Sequence, residues 1–120
     1  MATSVWSESK PLWYPVGSSK DDIIYIDFLN MKTNASLVFV WVLTDFKKLD
    51  SRGHLSTKGL YEVDCEMPEK YKLLSLNFYK SSMGEGELSD NWTPPNEEYQ
   101  YPLPNSVISA VVSNTCELAK

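Results

Sequence analysis

The side chains best suited to chemistry are two cysteines and a single histidine. Cys65 and Cys116 lie 51 positions apart, so they form neither a Cys-x-x-Cys redox motif nor a paired zinc knuckle. His54 is the only imidazole, and its charged, glycine-containing surroundings predict an exposed loop histidine. The alternative for His54 is ligation of haem or a metal together with a methionine: Met31, Met67 or Met83.

The spacing of the two cysteines leaves two interpretations open. Two independent buried thiols are common inside cells, whereas a disulfide implies an oxidising compartment. A bond closing a loop of about 50 residues would stabilise the fold by roughly 4 kcal/mol through chain entropy. The first residues show no basic segment followed by an apolar one, so no signal peptide is visible. That start suits a cytoplasmic protein and a mature exported domain equally.

Motifs of known catalytic spacing do not occur in the sequence. There is no GxSxG, HExxH, GxGxxG or GxxxxGK[ST] pattern, and Gly84-Glu85-Gly86 is typical of a turn. Adjacent carboxylates such as Asp21-Asp22 are typical of solvated loops rather than of an acid–base pair. We therefore assign no catalytic residue, metal ligand or cofactor, and expect a binding protein rather than an enzyme.

The charge distribution excludes some partners and suggests another. Eleven basic and sixteen acidic residues give a net charge of −5, and the scattered basic residues argue against nucleic acid and anionic membranes. No apolar stretch approaches the roughly 20 residues of a transmembrane helix. The segment 47–58 could meet an acidic or sulfated partner, the alternative being ordinary solvated charge. Its candidate binding residues are Lys47, Lys48, Arg52 and Lys58.

A second candidate surface is aromatic. Trp92, Tyr99 and Tyr101 lie in or beside a proline-rich segment, where they could pack over a sheet or serve as anchors for a partner protein. Trp41 and the tyrosines within 71–79 are expected in the core.

Strands must position most of these residues. The chain of 120 residues fits one domain, and alternating or β-branched runs predict a sheet of five to six strands between residues 12 and 92. Leu37–Phe46 carries apolar residues on both faces, which is typical of a central strand. We expect a polar connection over 30–35, a charged loop over 47–57 and a strand over 60–65.

The hydrophobic period changes near the C-terminus. Val107, Val111, Val112 and Cys116 follow helical spacing over 105–118, with Asn105 or Ser106 available as the N-cap. We therefore predict a single α+β domain, an antiparallel β-sheet with a C-terminal α-helix packed on it. Its predicted parts are a flexible segment 1–11, a sheet 12–92, a proline-rich connection 93–104 and a helix 105–118.

The predicted positions of the strands and the helix help to decide between the two interpretations of the cysteines. Cys116 falls on the apolar face of the predicted helix, and Cys65 falls at the end of a predicted strand. One bond between them would fasten the helix to the sheet, so the arrangement favours a Cys65–Cys116 disulfide.

The order of several short motifs resembles the bacterial surface-adhesin protein E family over roughly residues 13–118. The motifs are Trp41-Val42-Leu43, Asp45-Phe46-Lys47-Lys48, Ser56-Thr57-Lys58, Tyr61-Glu62-Val63-Asp64-Cys65, Tyr71-Lys72-Leu73-Leu74-Ser75-Leu76, Tyr79, Met83-Gly84-Glu85-Gly86, Trp92, Pro104-Asn105-Ser106 and Cys116. Two features depart from the family: a leader with a lipid-carrying cysteine is not seen, and Asn105 replaces the glycine before the helix.

The resemblance implies an exported protein at the periplasm, the outer-membrane surface or outside the cell. It also implies the Cys65–Cys116 bridge and adhesion to host proteins such as vitronectin, laminin or plasminogen. The alternatives are a structural or accessory domain of the cell envelope without a ligand of its own, and a small-ligand or haem binder. An exposed edge strand could also pair two copies into a homodimer.

Overall fold

The computed structural model describes residues 10–95 and 98–120, and within these ranges it contains seven strands and one α-helix. The predicted α+β class, with an antiparallel sheet and a C-terminal helix, is confirmed. In chain order the elements are β1 (Trp13–Ser18), β2 (Asp22–Asp27), β3 (Lys32–Asn34), β4 (Leu37–Phe46), β5 (Ser56–Asp64), β6 (Lys70–Tyr79), β7 (Leu88–Trp92) and α1 (Val107–Leu118).

All described strand pairs are antiparallel, in the order β1-β2-β4-β5-β6-β7, with β3 pairing β4 beside β2. Strand β4 is central, as its apolar residues on both faces predicted, and its bounds match the predicted run. Strand β3 replaces the polar connection expected there. Its three exposed residues pair through the backbone with 37–39, so hydrophobic patterning could not indicate it.

Strand β5 begins at Ser56, four residues before the predicted start at Leu60. Residues 56–59 lack an apolar alternation, but they pair with β4 on one side and with β6 on the other. Backbone hydrogen bonding on both sides therefore extends the strand into polar sequence. As a consequence, Lys58 lies in the middle of the sheet and not in the charged loop.

The main core lies between the sheet and α1, on what we call the helix face. Strand residues Ile26, Val40 and Val63 are fully buried there against Val112 of the helix. The helix begins after Ser106, whose Oγ accepts a hydrogen bond from the Ser109 amide at 3.1 Å. Ser106 is thus the N-cap, one of the two residues that the sequence offered for that role.

The predicted disulfide between Cys65 and Cys116 is present, with the two Cα atoms 5.6 Å apart. It joins the residue that follows β5 to the last turns of α1. No helix in the described part of the chain has both the length and the apolar character needed to cross a bilayer. Of the segment predicted to be flexible, residues 1–9 lie outside the described residues, as do 96–97 of the proline-rich connection.

Candidate functional site

The face of the sheet opposite α1, the reverse face, carries its own packed cluster. Side chains alternate along a strand, so Trp41, Leu43 and Asp45 of β4 point to this face while Val40 and Val42 meet the helix. A short 3-10 helix, Ser82–Gly84, packs here against β4 and β5. The Met83 amide donates a hydrogen bond to Asp45 Oδ1 at 2.7 Å, which fastens this turn to the sheet.

A cleft of about 200 Å³ opens on the reverse face, and we call it the lysine cleft. It runs across the sheet from β1 to β6. The Lys58 ammonium lies inside it, 5.9 Å from the ring centroid of Trp13 and 5.1 Å from that of Tyr79. The lining residues are Pro11, Trp13, Asp27, Trp41, Lys58, Asn77 and Tyr79.

The side chain of Lys58 passes close to the neighbouring turn. A Cβ atom at Gly84 would lie 2.5 Å from Lys58 Cε, so only glycine lets the lysine stem pass this close. Gly84 also has a φ of +63°, a conformation that other residues rarely adopt. Its amide donates to Ser56 Oγ at 2.7 Å, and that hydroxyl donates to the Ser81 carbonyl at 2.6 Å.

The polar groups of the lysine cleft differ in how many hydrogen-bond partners they have within the protein. Asp27 is 3% exposed, and its carboxylate accepts hydrogen bonds from the Leu12 amide and from Asn30 Nδ2. Burial raises the pKa of Tyr79, an effect that a hydrogen bond with Asn77 opposes. By contrast, Trp41 Nε1 is buried without a hydrogen-bond partner among the residues that the structure describes.

A second depression, which we call the Trp92 groove, lies on the helix face beyond the area that α1 covers. It has a volume of about 270 Å³, and Trp92 at its border is 48% exposed. The groove is closed on one side by the end of the proline-rich connection, where Gln100 and Tyr71 form a bridge of two backbone hydrogen bonds. The lining residues are Tyr61, Tyr71, Lys72, Leu73, Trp92, Pro94, Glu98 and Gln100.

Tyr99 belongs to a network of charged side chains. Its hydroxyl donates a hydrogen bond to the Glu62 carboxylate, and this bond is the main cause that raises the pKa of Tyr99 to about 12. The ammonium groups of Lys70 and Lys72 lie 5.1 Å and 4.6 Å from its ring centroid. Tyr101, in contrast, is 62% exposed.

The four basic candidates contact different parts of the domain. Lys47 and Lys48 are exposed after β4, and Lys47 Nζ is 3.5 Å from the Ser19 carbonyl oxygen. Arg52 forms an ion pair with Asp90 of β7 and lies over the Phe78 ring. Lys58 belongs to the lysine cleft, so the contacts of these residues do not define one continuous basic surface.

His54 is buried, so its expected exposure was wrong. Only 3% of its surface is accessible, and its ring stacks at a tilt on Phe78 with centroids 5.1 Å apart. Nδ1 lies 3.3 Å from Asp50 Oδ2, and Nε2 lies 3.3 Å from Ser89 Oγ. Both ring nitrogens therefore have protein partners. Among the described residues, no group of three or more His, Cys, Asp or Glu side chains could hold a metal ion.

Sequence reasoning missed most of both depressions. In the lysine cleft it identified Lys58 for another surface, and in the Trp92 groove it identified only Trp92. One usable signal was present: Lys58 and Asn77 are polar residues at positions that strand alternation places on the same face as Leu43. The other neighbours come from strands far apart in the chain.

Comparison with known families identifies the class of protein. A family model described as surface-adhesin protein E matches residues 13–117, which is most of the chain, and the chain belongs to this family. Membership supports a surface-adhesin-like role for a surface or exported protein. Searches of curated proteins and of solved structures returned no significant match.

Proposed function

We propose that this domain is an exported, non-enzymatic adhesion module that binds an extended segment of a host extracellular protein along the Trp92 groove. The observation that carries the proposal is the half-exposed Trp92 beside a groove whose walls include Tyr61, Tyr71 and Leu73. Tryptophan and tyrosine are the residues that most often dominate protein–protein binding energy. Because the chain belongs to a surface-adhesin family, a host protein is the class of partner that we propose.

The position of Trp92 supports an extended partner segment. Trp92 is the last residue of β7, and β7 ends the strand order among the described residues. A terminal strand offers backbone groups to an added strand, while a pocket beside it can take an alternate side chain. Glu98, which is exposed and lines the groove, supplies a charge for the polar margin of such a contact.

Vitronectin, laminin and plasminogen are the host proteins to test, by immobilising each and measuring saturable binding of the domain. We expect Trp92→Ala to weaken the binding of the true partner by roughly tenfold or more, about 1.4 kcal/mol. Leu103→Ala is the matched control, because Leu103 is 73% exposed and does not line the groove.

A double variant, Lys47→Ala with Lys48→Ala, tests the basic candidates in the same assay. Loss of binding in this variant but not in Trp92→Ala would move the site to the loop after β4 and contradict the groove. Absence of saturable binding to all three host proteins would overturn the host-adhesion proposal and favour the accessory envelope domain.

We also propose that an edge of the sheet pairs two copies of the domain. Strands β1 and β7 end the strand order within the described residues, and exposed apolar side chains stand on both: Tyr14 at 43% and Leu88 at 51%. Backbone pairing at an exposed edge is a common route to dimers.

A further inference from the structure

We propose that the lysine cleft binds a carboxylate group carried by a ligand about the size of one amino-acid side chain. Lys58 is the cation that recognises it. The Trp92 groove has no part in this inference, because the two depressions lie on opposite faces of the sheet.

The ammonium of Lys58 has no carboxylate partner among the described residues. Among the described residues, no carboxylate lies within 4.0 Å of its ammonium, which has aromatic rings for neighbours instead. Ring contacts attract a cation but accept none of its three N–H groups in a charge-assisted hydrogen bond. The ammonium therefore keeps donors for an anion while part of its hydration is displaced by Trp13 and Tyr79.

The side chain of Lys58 is also preorganised for binding. A surface lysine normally loses much side-chain entropy when it binds an anion. Here the stem of Lys58 passes close to Gly84, whose amide is fixed through its hydrogen bond to Ser56, and its ammonium already lies near the Trp13 and Tyr79 rings. A cation that makes such contacts before binding gives up less freedom on binding. The glycine turn that follows β6 thus has a role in the cleft, namely to leave room for the stem of Lys58.

The charge in the cleft indicates the class of ligand. Lys58 supplies one ammonium, which matches a single carboxylate better than a phosphate dianion, and the Asp27 oxygens that line the same cleft are already occupied by the Leu12 amide and Asn30 Nδ2. A volume of about 200 Å³ is below the range of roughly 300–1,000 Å³ of drug-sized pockets. The aromatic walls Trp13 and Trp41 suit a planar group.

Two sources of such a carboxylate are distinguishable by experiment. The first probe is 3-phenylpropionate, a free acid, paired with its neutral amide. The second is N-acetylglutamate α-amide, which mimics an acidic side chain of a partner, paired with the glutamine analogue. Each is titrated into ¹⁵N-labelled protein, and the indole N–H signal of Trp41 is followed after its assignment with Trp41→Phe.

We expect a saturable shift of the Trp41 signal with at least one acid and no comparable shift with its neutral partner. The acid that binds more tightly identifies the source. Lys58→Met, which keeps the stem but removes the charge, should weaken that binding roughly tenfold or more, whereas Lys48→Met should leave it unchanged.

Three results would overturn the proposal: no saturable shift with either acid, equal shifts with acid and amide, or unchanged acid binding in a folded Lys58→Met. The comparison of acid with amide uses the unaltered protein, so it decides the matter even if Lys58→Met fails to fold.

Discussion

At the scale of single residues, Asp50 organises the loop between β4 and β5. Its Oδ1 accepts hydrogen bonds from the backbone amides of Arg52 and His54, both at 2.8 Å. The bond from the His54 amide is the main cause that lowers the pKa of Asp50 below its ordinary value of 3.8. Through this turn Asp50 also holds the buried ring of His54 against Phe78.

A lowered carboxyl pKa makes the fold acid-sensitive. The ionised Asp50 contributes stability above pH 3.8, and that contribution is lost as the pH falls through the lowered pKa. We expect Asp50→Asn to keep the acceptor oxygen but to flatten the loss of stability in acid, measured by urea unfolding at a series of pH values. Glu87→Gln, at an exposed position, is the control. Parallel acid profiles for Asp50→Asn and the unaltered protein would contradict this prediction.

At the scale of elements, the stability of α1 depends on three contributions of different strength. Its β-branched residues have modest helix propensity, so its stability comes from packing, the Ser106 cap and the Cys65–Cys116 bond. The bond closes a loop of 51 residues between a strand end and the helix. The helix covers the β1–β5 part of the sheet and leaves the Trp92 groove open.

Replacing both cysteines by alanine is expected to lower the free energy of unfolding by roughly 4 kcal/mol, because the unfolded chain regains loop entropy. Ser106→Ala, which removes only the cap, should cost about 1 kcal/mol. Chemical denaturation followed by circular dichroism measures both. If the two variants lose equal stability, the disulfide does not fasten the helix in the way that we infer.

At the scale of the whole molecule, the exposed edges of the sheet bear on whether two copies of the domain form a dimer. Edge pairing predicts a concentration-dependent monomer–dimer equilibrium in analytical ultracentrifugation. Lysine on an edge strand opposes such pairing, so Leu88→Lys should weaken the dimer if β7 pairs, and Tyr14→Lys should do so if β1 pairs. A monomer at every concentration tested would contradict dimer formation, and binding of a host protein would then involve single copies.

Several features of the whole molecule followed from the sequence alone. The bounds of β4 are visible because a long apolar strand has a strong local signal, and α1 is visible because the period changes from two to about 3.6. Together these two elements predicted the α+β class. The predicted position of Cys116 on the apolar face of the helix, and of Cys65 at a strand end, favoured the disulfide before the structure showed it.

Only the tertiary structure decided what surrounds the side chains. Lys58 belonged to a charged loop by local sequence, yet pairing with two neighbouring strands carries it into the sheet beside Trp13 and Tyr79. His54 belonged to a polar loop, yet Phe78 and Ser89 bury it. Local propensity depends on neighbours along the chain, whereas burial and cleft formation depend on strands brought together from far apart in sequence.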